Sequence, residues 1–208
     1  MPELLAEGVA MKISGALLAA GKSERMGENK LLLPYGKHTV IEESLSQMAE
    51  SGLDEIVAVT GFQMDKVGKL IEDRFGKKVK VLFNENYNSG RAESIKCAIR
   101  NIDEKSDAVL FMVADKPSVK SSLIRKAMHE FKRKSPSILY VETPRGRGHP
   151  VIFSRILFDD LMKLEGEPIG NVIFEKYRDE TVIFPDNNPQ IDIDTIEDYN
   201  EIVSETLK

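Results

Sequence analysis

Cysteine occurs once in this 208-residue chain and tryptophan not at all. A single cysteine excludes a disulfide framework and any multi-cysteine zinc site. No apolar run reaches 18 residues, so no segment reads as a membrane-spanning helix. A basic excess is missing too: 29 Lys and Arg stand against 34 Asp and Glu, a net charge of -5. Surfaces that bind nucleic acid carry surplus positive charge and aromatic stacking platforms, and with aromatics at 7% this chain offers neither. The segment Met1 to Ala10 has Glu3 and Glu7 but no basic residue, unlike a secretory signal. The expected setting is cytoplasmic, without nucleic-acid or membrane partners. Any anionic ligand must be held by a local cluster of cations and backbone amides.

A chain of this length can bury about 70% of its unfolded surface and needs no covalent staple. Its pattern alternates short apolar runs with amphipathic stretches. Ile13 to Ala20 is a continuous apolar run bounded by Gly21, which reads as a buried strand. A loop follows to about Gly36, then a helical face with Ile41, Leu45, Met48 and Gly52. Strands are expected at Ile56 to Val59, Val79 to Phe83 and Ala108 to Val113. Helices are expected around Val67, Leu70 and Ile71, and around Ile95, Ala98, Ile99 and Ile102. Four β-α units in succession imply an α/β domain, with a mainly parallel sheet covered by helices on both faces. Beyond Pro117 come a helix (about Ser121 to Lys134), a strand from Ile138 to Val141 and a loop from Thr143 to Pro150. A short strand from Val151 to Phe153, two helical stretches flanking Gly166 to Gly170, a strand ending at Phe184 and a final helix near Thr195 complete the chain. One domain accounts for all of this, with its second half supplying the substrate side.

Ligands of open parallel sheets bind at the carboxyl ends of the strands. The loop after the first strand reads Leu18-Ala19-Ala20-Gly21-Lys22-Ser23-Glu24-Arg25-Met26-Gly27, followed by Lys30. Its small residues allow close backbone approach, and successive N–H groups form an anion cradle with three nearby cations. It is neither a Walker A loop nor GxGxxG, and an ordinary strand-to-helix turn with solvated charges has the same spacing. Asp115, at the end of the fourth strand, is a hard-oxygen donor suited to Mg²⁺, or a turn-forming Asp before Pro117. Asp192 and Asp194 alternate in an extended segment and so face one side, though either also serves as a helix cap. Cys97 has no resolving partner and reads as a half-buried bystander.

Leu-Ala-Ala-Gly-x-Ser-x-Arg-Met-Gly-x-x-Lys, here Leu18 to Lys30, resembles the signature of the MobA-like nucleotidyltransferases. Within that superfamily it is most similar to the molybdenum cofactor cytidylyltransferases, which Ala20 resembles more than the guanylyl branch. The resemblance implies a Rossmann-like, three-layer nucleotide-diphosphosugar transferase fold with a mainly parallel mixed sheet. It implies one domain over residues 1–208, with a nucleotide-binding half at about 12–117 and an acceptor-binding half at 118–208. Leu18, Ala19, Ala20, Gly21, Lys22 and Ser23 would then line the nucleotide, with Arg25 and Lys30 on its triphosphate.

Asn84-x-x-Tyr87-x-x-Gly90-x-x-Ser94 resembles the family's second segment, which contacts base and ribose; on local grounds Ser94 also reads as a helix residue bonding its own turn. Asp115 would be the metal aspartate and a catalytic residue with Arg25 and Lys30, completed by Asp194 or Asp192. Gly146-x-Gly148-His149-Pro150 resembles the acceptor segment, with Arg145 and Arg147 as cations for a phosphorylated pterin beside Gly148 and His149. The family's glycine-aspartate-x-glycine-alanine-arginine stretch corresponds here to Gly166-Glu167-Pro168-Ile169-Gly170-Asn171, in which the arginine is missing.

The implied reaction moves a cytidylyl group from CTP to molybdopterin with Mg²⁺ and releases pyrophosphate, a molybdenum hydroxylase apoenzyme being a possible later partner. GTP as donor, or a sugar, polyol or other phosphate as acceptor, keeps the same chemistry. A non-catalytic protein that binds and delivers the molybdenum cofactor is the reading from another class.

Overall fold

The computed structural model describes residues 11–165 and 169–206. The first strand, β1 (Ile13–Ala19), is followed by two short strands, β2 (Pro34–Tyr35) and β3 (His38–Thr39), and by helix α1 (Val40–Ala49). Then come β4 (Glu55–Thr60), α2 (Met64–Phe75), β5 (Lys80–Phe83), α3 (Arg91–Asn101), β6 (Ala108–Val113) and α4 (Ser121–Lys134). The remainder runs β7 (Ile138–Thr143), β8 (Gly146–Ser154), α5 (Phe158–Met162), α6 (Ile169–Lys176), β9 (Thr181–Pro185) and α7 (Ile196–Thr206).

Seven strands form one sheet in the order β5-β4-β1-β6-β8-β7-β9, and β8 alone runs against the others. The mainly parallel mixed sheet between helical layers is the Rossmann-like α/β arrangement expected. Its apolar strands face both layers, as their unbroken hydrophobic runs require. Ile13 and Leu17 of β1 join Ile41, Leu45, Ile71 and Phe131 on one side, whereas Ala16 joins Ile95, Ala98 and Phe153 on the other. Helix α1 starts at a reciprocal cap: Thr39 Oγ1 accepts from the Glu42 amide, and the Glu42 carboxylate accepts from the Thr39 amide.

Strand order reverses at β1. The chain passes from β1 outward to β4 and β5, then crosses back so that β6 pairs with β1 on its other side. The loops after β1 and β6 therefore diverge around a crevice at the sheet's carboxyl edge. Because β8 is antiparallel, pairing Phe111 with Val151 and Ala108 with Ser154, its beginning rather than its end lies at that same edge.

Two expectations are corrected. Residues 146–150 are not loop: β8 spans Gly146–Ser154, and Glu142 and Thr143 pair with Arg147 and Gly146. Gly and Pro made this stretch look irregular; the ladder slips between Tyr140 and Glu142, opposite Pro150, where a missing N–H donor is tolerated. Gly52 does not share the α1 face, since the helix ends at Ala49 and Gly52 turns the chain at φ +83°. The altered stretch at 166–168 lies outside the described residues.

Phe131, 1% exposed, seals α4 against the sheet. Phe131→Ala is expected to cost about 3–5 kcal/mol in urea denaturation. A loss below about 1 kcal/mol would mean that α4 does not close this layer.

Candidate active site

The chain leaves β1 through Ala19, Ala20 and Gly21 and enters a tight cradle. Ser23 (φ +57°) and Gly27 (φ +72°) take left-handed conformations around a single 3-10 turn, Glu24–Met26. The Lys30 amide donates to Ser23 Oγ at 3.2 Å, and Asn29 Oδ1 accepts from the Leu31 amide at 3.1 Å. Leu31 is buried in the core, so the end of the cradle is anchored.

This anchoring delivers Lys30, only 9% exposed, into the crevice. Its Nζ lies 2.6 Å from Asp115 Oδ2 and 3.0 Å from Asp194 Oδ1. Arg25 donates to the other Asp194 oxygen at 2.9 Å. Burial opposes the Lys30 charge, but Asp115 and Asp194 outweigh it and raise the ammonium pKa above its usual value. Burial likewise opposes the Asp194 charge, and Lys30 and Arg25 overcome it, holding the carboxyl below its usual range.

Asp194 reaches the site because Ile191 and Ile193 are buried on the opposite side of its extended segment. The Ile193 amide donates to the Asp115 carbonyl at 3.1 Å, tying the segment to the end of β6. The cap of α7 is Thr195, whose Oγ1 accepts from the Asp198 amide while Asp198 Oδ2 accepts from the Thr195 amide. Asp194 is thus free of capping. Asp192 takes a different partner, Lys116, at 3.0 Å.

The resulting cleft has two adjoining lobes. The first, about 570 Å³, is lined by Leu18, Ala19, Gly21, Lys22, Ser23, Arg25, Lys30, Gly90, Asp115 and Asp194, among others. The second, about 500 Å³, takes in Ala20, Ser94, Lys116, Arg147, His149 and Asp192. Three candidates stand apart from this lining. Asn84 is buried, donating to Ser94 Oγ at 3.1 Å and accepting from the Asn86 amide, so it shapes the second loop from behind. Arg145 points toward α7, 3.9 Å from Glu201. Gly148 is packed so closely that a Cβ there would come within 2.6 Å of Gln190 Oε1.

Tyr87 of the second segment lines the cleft, and so do Arg91 and Lys116, which had not been assigned to it from the sequence. The signals for Arg91 and Lys116 were adjacency alone: Arg91 follows Gly90, and Lys116 sits between Asp115 and Pro117. Gly61 carries a packing constraint that no motif displays. A Cβ at Gly61 would lie 2.5 Å from Tyr87 Cβ and 2.9 Å from Ala20 Cβ, so only glycine lets the two loops approach.

Lys22, Arg25 and Lys30 beside a backbone turn form a cradle suited to a polyphosphate. The donor set also fits a hard divalent cation. Asp115 Oδ1 is buried with no partner, and no group of three or more His, Cys, Asp or Glu side chains among the described residues is placed to hold a metal alone. One or two carboxylates completed by substrate phosphates is the usual arrangement for Mg²⁺.

Residues 15–181 match the model of the MobA-like NTP transferase domain. The chain belongs to this family of nucleotidyltransferases. It is 26% identical to the purine catabolism protein PucB of Bacillus subtilis over 200 residues, 90% of this chain and 94% of that one. It is 25% identical to the molybdenum cofactor cytidylyltransferase of Escherichia coli over 141 residues, 67% and 68% of the two chains. Against two bifunctional GlmU proteins it spans 34% and 31% of their length. The crystal structure of Rv0371c from Mycobacterium tuberculosis superposes with a TM-score of 0.84 at 26% identity, over 94% of this chain and 100% of that one. Rv0371c has also been solved as a complex with manganese.

In this MobA-like cleft His149 is held as a neutral group. Burial, with Lys116 next in weight, pushes its pKa down to about 4, although the Phe111 carbonyl lies 3.2 Å from Nδ1. Unfolded histidine takes up a proton near pH 6.5, so the unfolded state binds more protons as pH falls from about 6.5 to 4, and stability is lost across that window. Chemical denaturation at pH 7 and pH 4.5 should show about 2 kcal/mol of this loss in the wild type. His149→Gln should remove that share. An unchanged pH slope in the variant would mean that His149 ionises freely when folded.

Proposed function

We propose that this chain transfers a cytidylyl group from CTP to the phosphate of molybdopterin, releasing pyrophosphate. The observation that carries the reading is the Lys30 ammonium held between Asp115 and Asp194 at the mouth of the β1 cradle. The triphosphate would lie along Lys22, Arg25 and Lys30, with Ala20, Gly90 and Ser94 beside base and ribose. The acceptor would enter from the lobe containing Arg147 and His149. A divalent cation, Mg²⁺ in this reading, would be held by Asp115 and Asp194 and would supply Lewis-acid neutralisation of phosphate charge.

An ionised oxygen of the acceptor phosphate forms a bond to the α-phosphorus of CTP. The bond from that phosphorus to the bridging oxygen breaks, and pyrophosphate leaves with the electron pair. A phosphate with a second pKa near 6 is already ionised, so no side chain has to take a proton. Arg25 and Lys30 oppose the charge that grows on the leaving group, and the two loops fix the reacting atoms. The proposed setting is the cytoplasm. The longer match to PucB favours a second reading, in which the same chemistry serves purine catabolism with another acceptor.

Asp115→Ala should remain folded by circular dichroism yet release almost no pyrophosphate from CTP, Mg²⁺ and molybdopterin. Arg25→Gln and Lys30→Gln should slow release on the order of 10²–10³-fold. Wild-type turnover in Asp115→Ala would refute the assignment. GTP replacing CTP in thermal-shift and turnover assays would overturn the donor, and binding without any release would favour a delivery protein.

A further inference from the structure

The second lobe holds a cation that the transfer reaction as derived above does not use. Lys116 is buried, its side chain only 10% exposed, and it lies within the turn that also carries Asp115. A lysine ammonium has three donors and loses hydration when buried, so it needs fixed acceptors. Two are present: the Asp192 carboxylate at 3.0 Å and the Gln190 carbonyl at 3.3 Å. That carbonyl is itself held in place, because the Gln190 side chain accepts from the His149 amide at 2.7 Å and donates to the His149 carbonyl. Among the described residues the third donor has no partner of this kind.

Charge in the lobe is unevenly distributed. Arg91, Lys116 and Arg147 line it together with Asp115, Asp192 and Asp194. Lys30 and Arg25 already neutralise Asp115 and Asp194, which leaves Asp192 alone against three cations. Arg147 is braced as well, its guanidinium 3.6 Å from the Phe174 ring centroid and 5.0 Å from that of Tyr140. A site with surplus fixed positive charge and a neutral histidine favours an anion of more than one charge.

We propose that Lys116, positioned by Asp192 and the Gln190 carbonyl, binds a phosphomonoester dianion of the acceptor together with Arg91 and Arg147. Asp192 is then a positioning residue of this anion subsite and does not ligate metal. The inference rests on the transferase reading for the word acceptor, but the subsite itself is defined by its own side chains.

The test separates the two. Binding of CTP with Mg²⁺ is measured first by calorimetry, and inorganic phosphate is then titrated into the CTP-saturated protein. Lys116→Gln should weaken phosphate binding on the order of tenfold and leave CTP affinity within about twofold, while Lys116→Arg should restore phosphate binding. Asp192→Asn should leave the Mg²⁺ concentration needed for CTP binding unchanged. A tenfold rise in that Mg²⁺ requirement, or phosphate binding indifferent to Lys116→Gln, would overturn the proposal. If CTP does not bind at all, the cytidylyl reading fails alone, and the phosphate comparison in nucleotide-free protein still decides the role of Lys116.

Discussion

One ammonium group joins three distant stretches of this chain. Lys30 comes from the loop after β1, Asp115 from the end of β6 and Asp194 from the approach to the last helix, and their side chains meet within 3.0 Å. A buried lysine is tolerable only when such partners replace its lost hydration, and removing one partner from a pair of this kind commonly costs about 3–5 kcal/mol. The same contact fixes where the cradle faces. Without it the first loop would keep only the exposed Arg25 as a charged link to the carboxylates, and that link reaches Asp194 alone.

The sheet supplies the rest of the geometry. Reversal of strand order at β1 opens the crevice, and the opposite direction of β8 brings Arg147 and His149 to the edge where the parallel strands end. Small residues then set how closely the walls approach. Gly61 admits Tyr87 and Ala20, and Gly148 admits Gln190, which holds the His149 backbone at both its polar groups.

The charge of the whole molecule misleads about this cleft. A net charge of -5 suggests a surface that repels anions, yet six cations line the two lobes, and His149 is kept neutral beside them. Pairing explains how they coexist. Asp115, Asp192 and Asp194 each have a cation within 3.0 Å, so the fields cancel locally, and the remaining positive charge is confined to a site from which water is partly excluded.

The amino-acid order by itself determined the alternation of strands and helices, because unbroken apolar runs beside amphipathic stretches admit few arrangements other than a covered parallel sheet. It also marked the cradle, since a run of alanine and glycine among basic residues carries its chemistry locally. It misread residues 146–150, where glycine and proline look like loop and only pairing with β7 reveals a strand. Which aspartate serves which lysine was decided by tertiary structure alone. Asp192 and Asp194 stand two residues apart with identical side chains, and their partners, Lys116 and Lys30, come from opposite walls of the cleft. Local sequence carries no record of such distances. Burial of Ile191 and Ile193 turns both acids toward the cleft, and the positions of the two ammonium groups divide them.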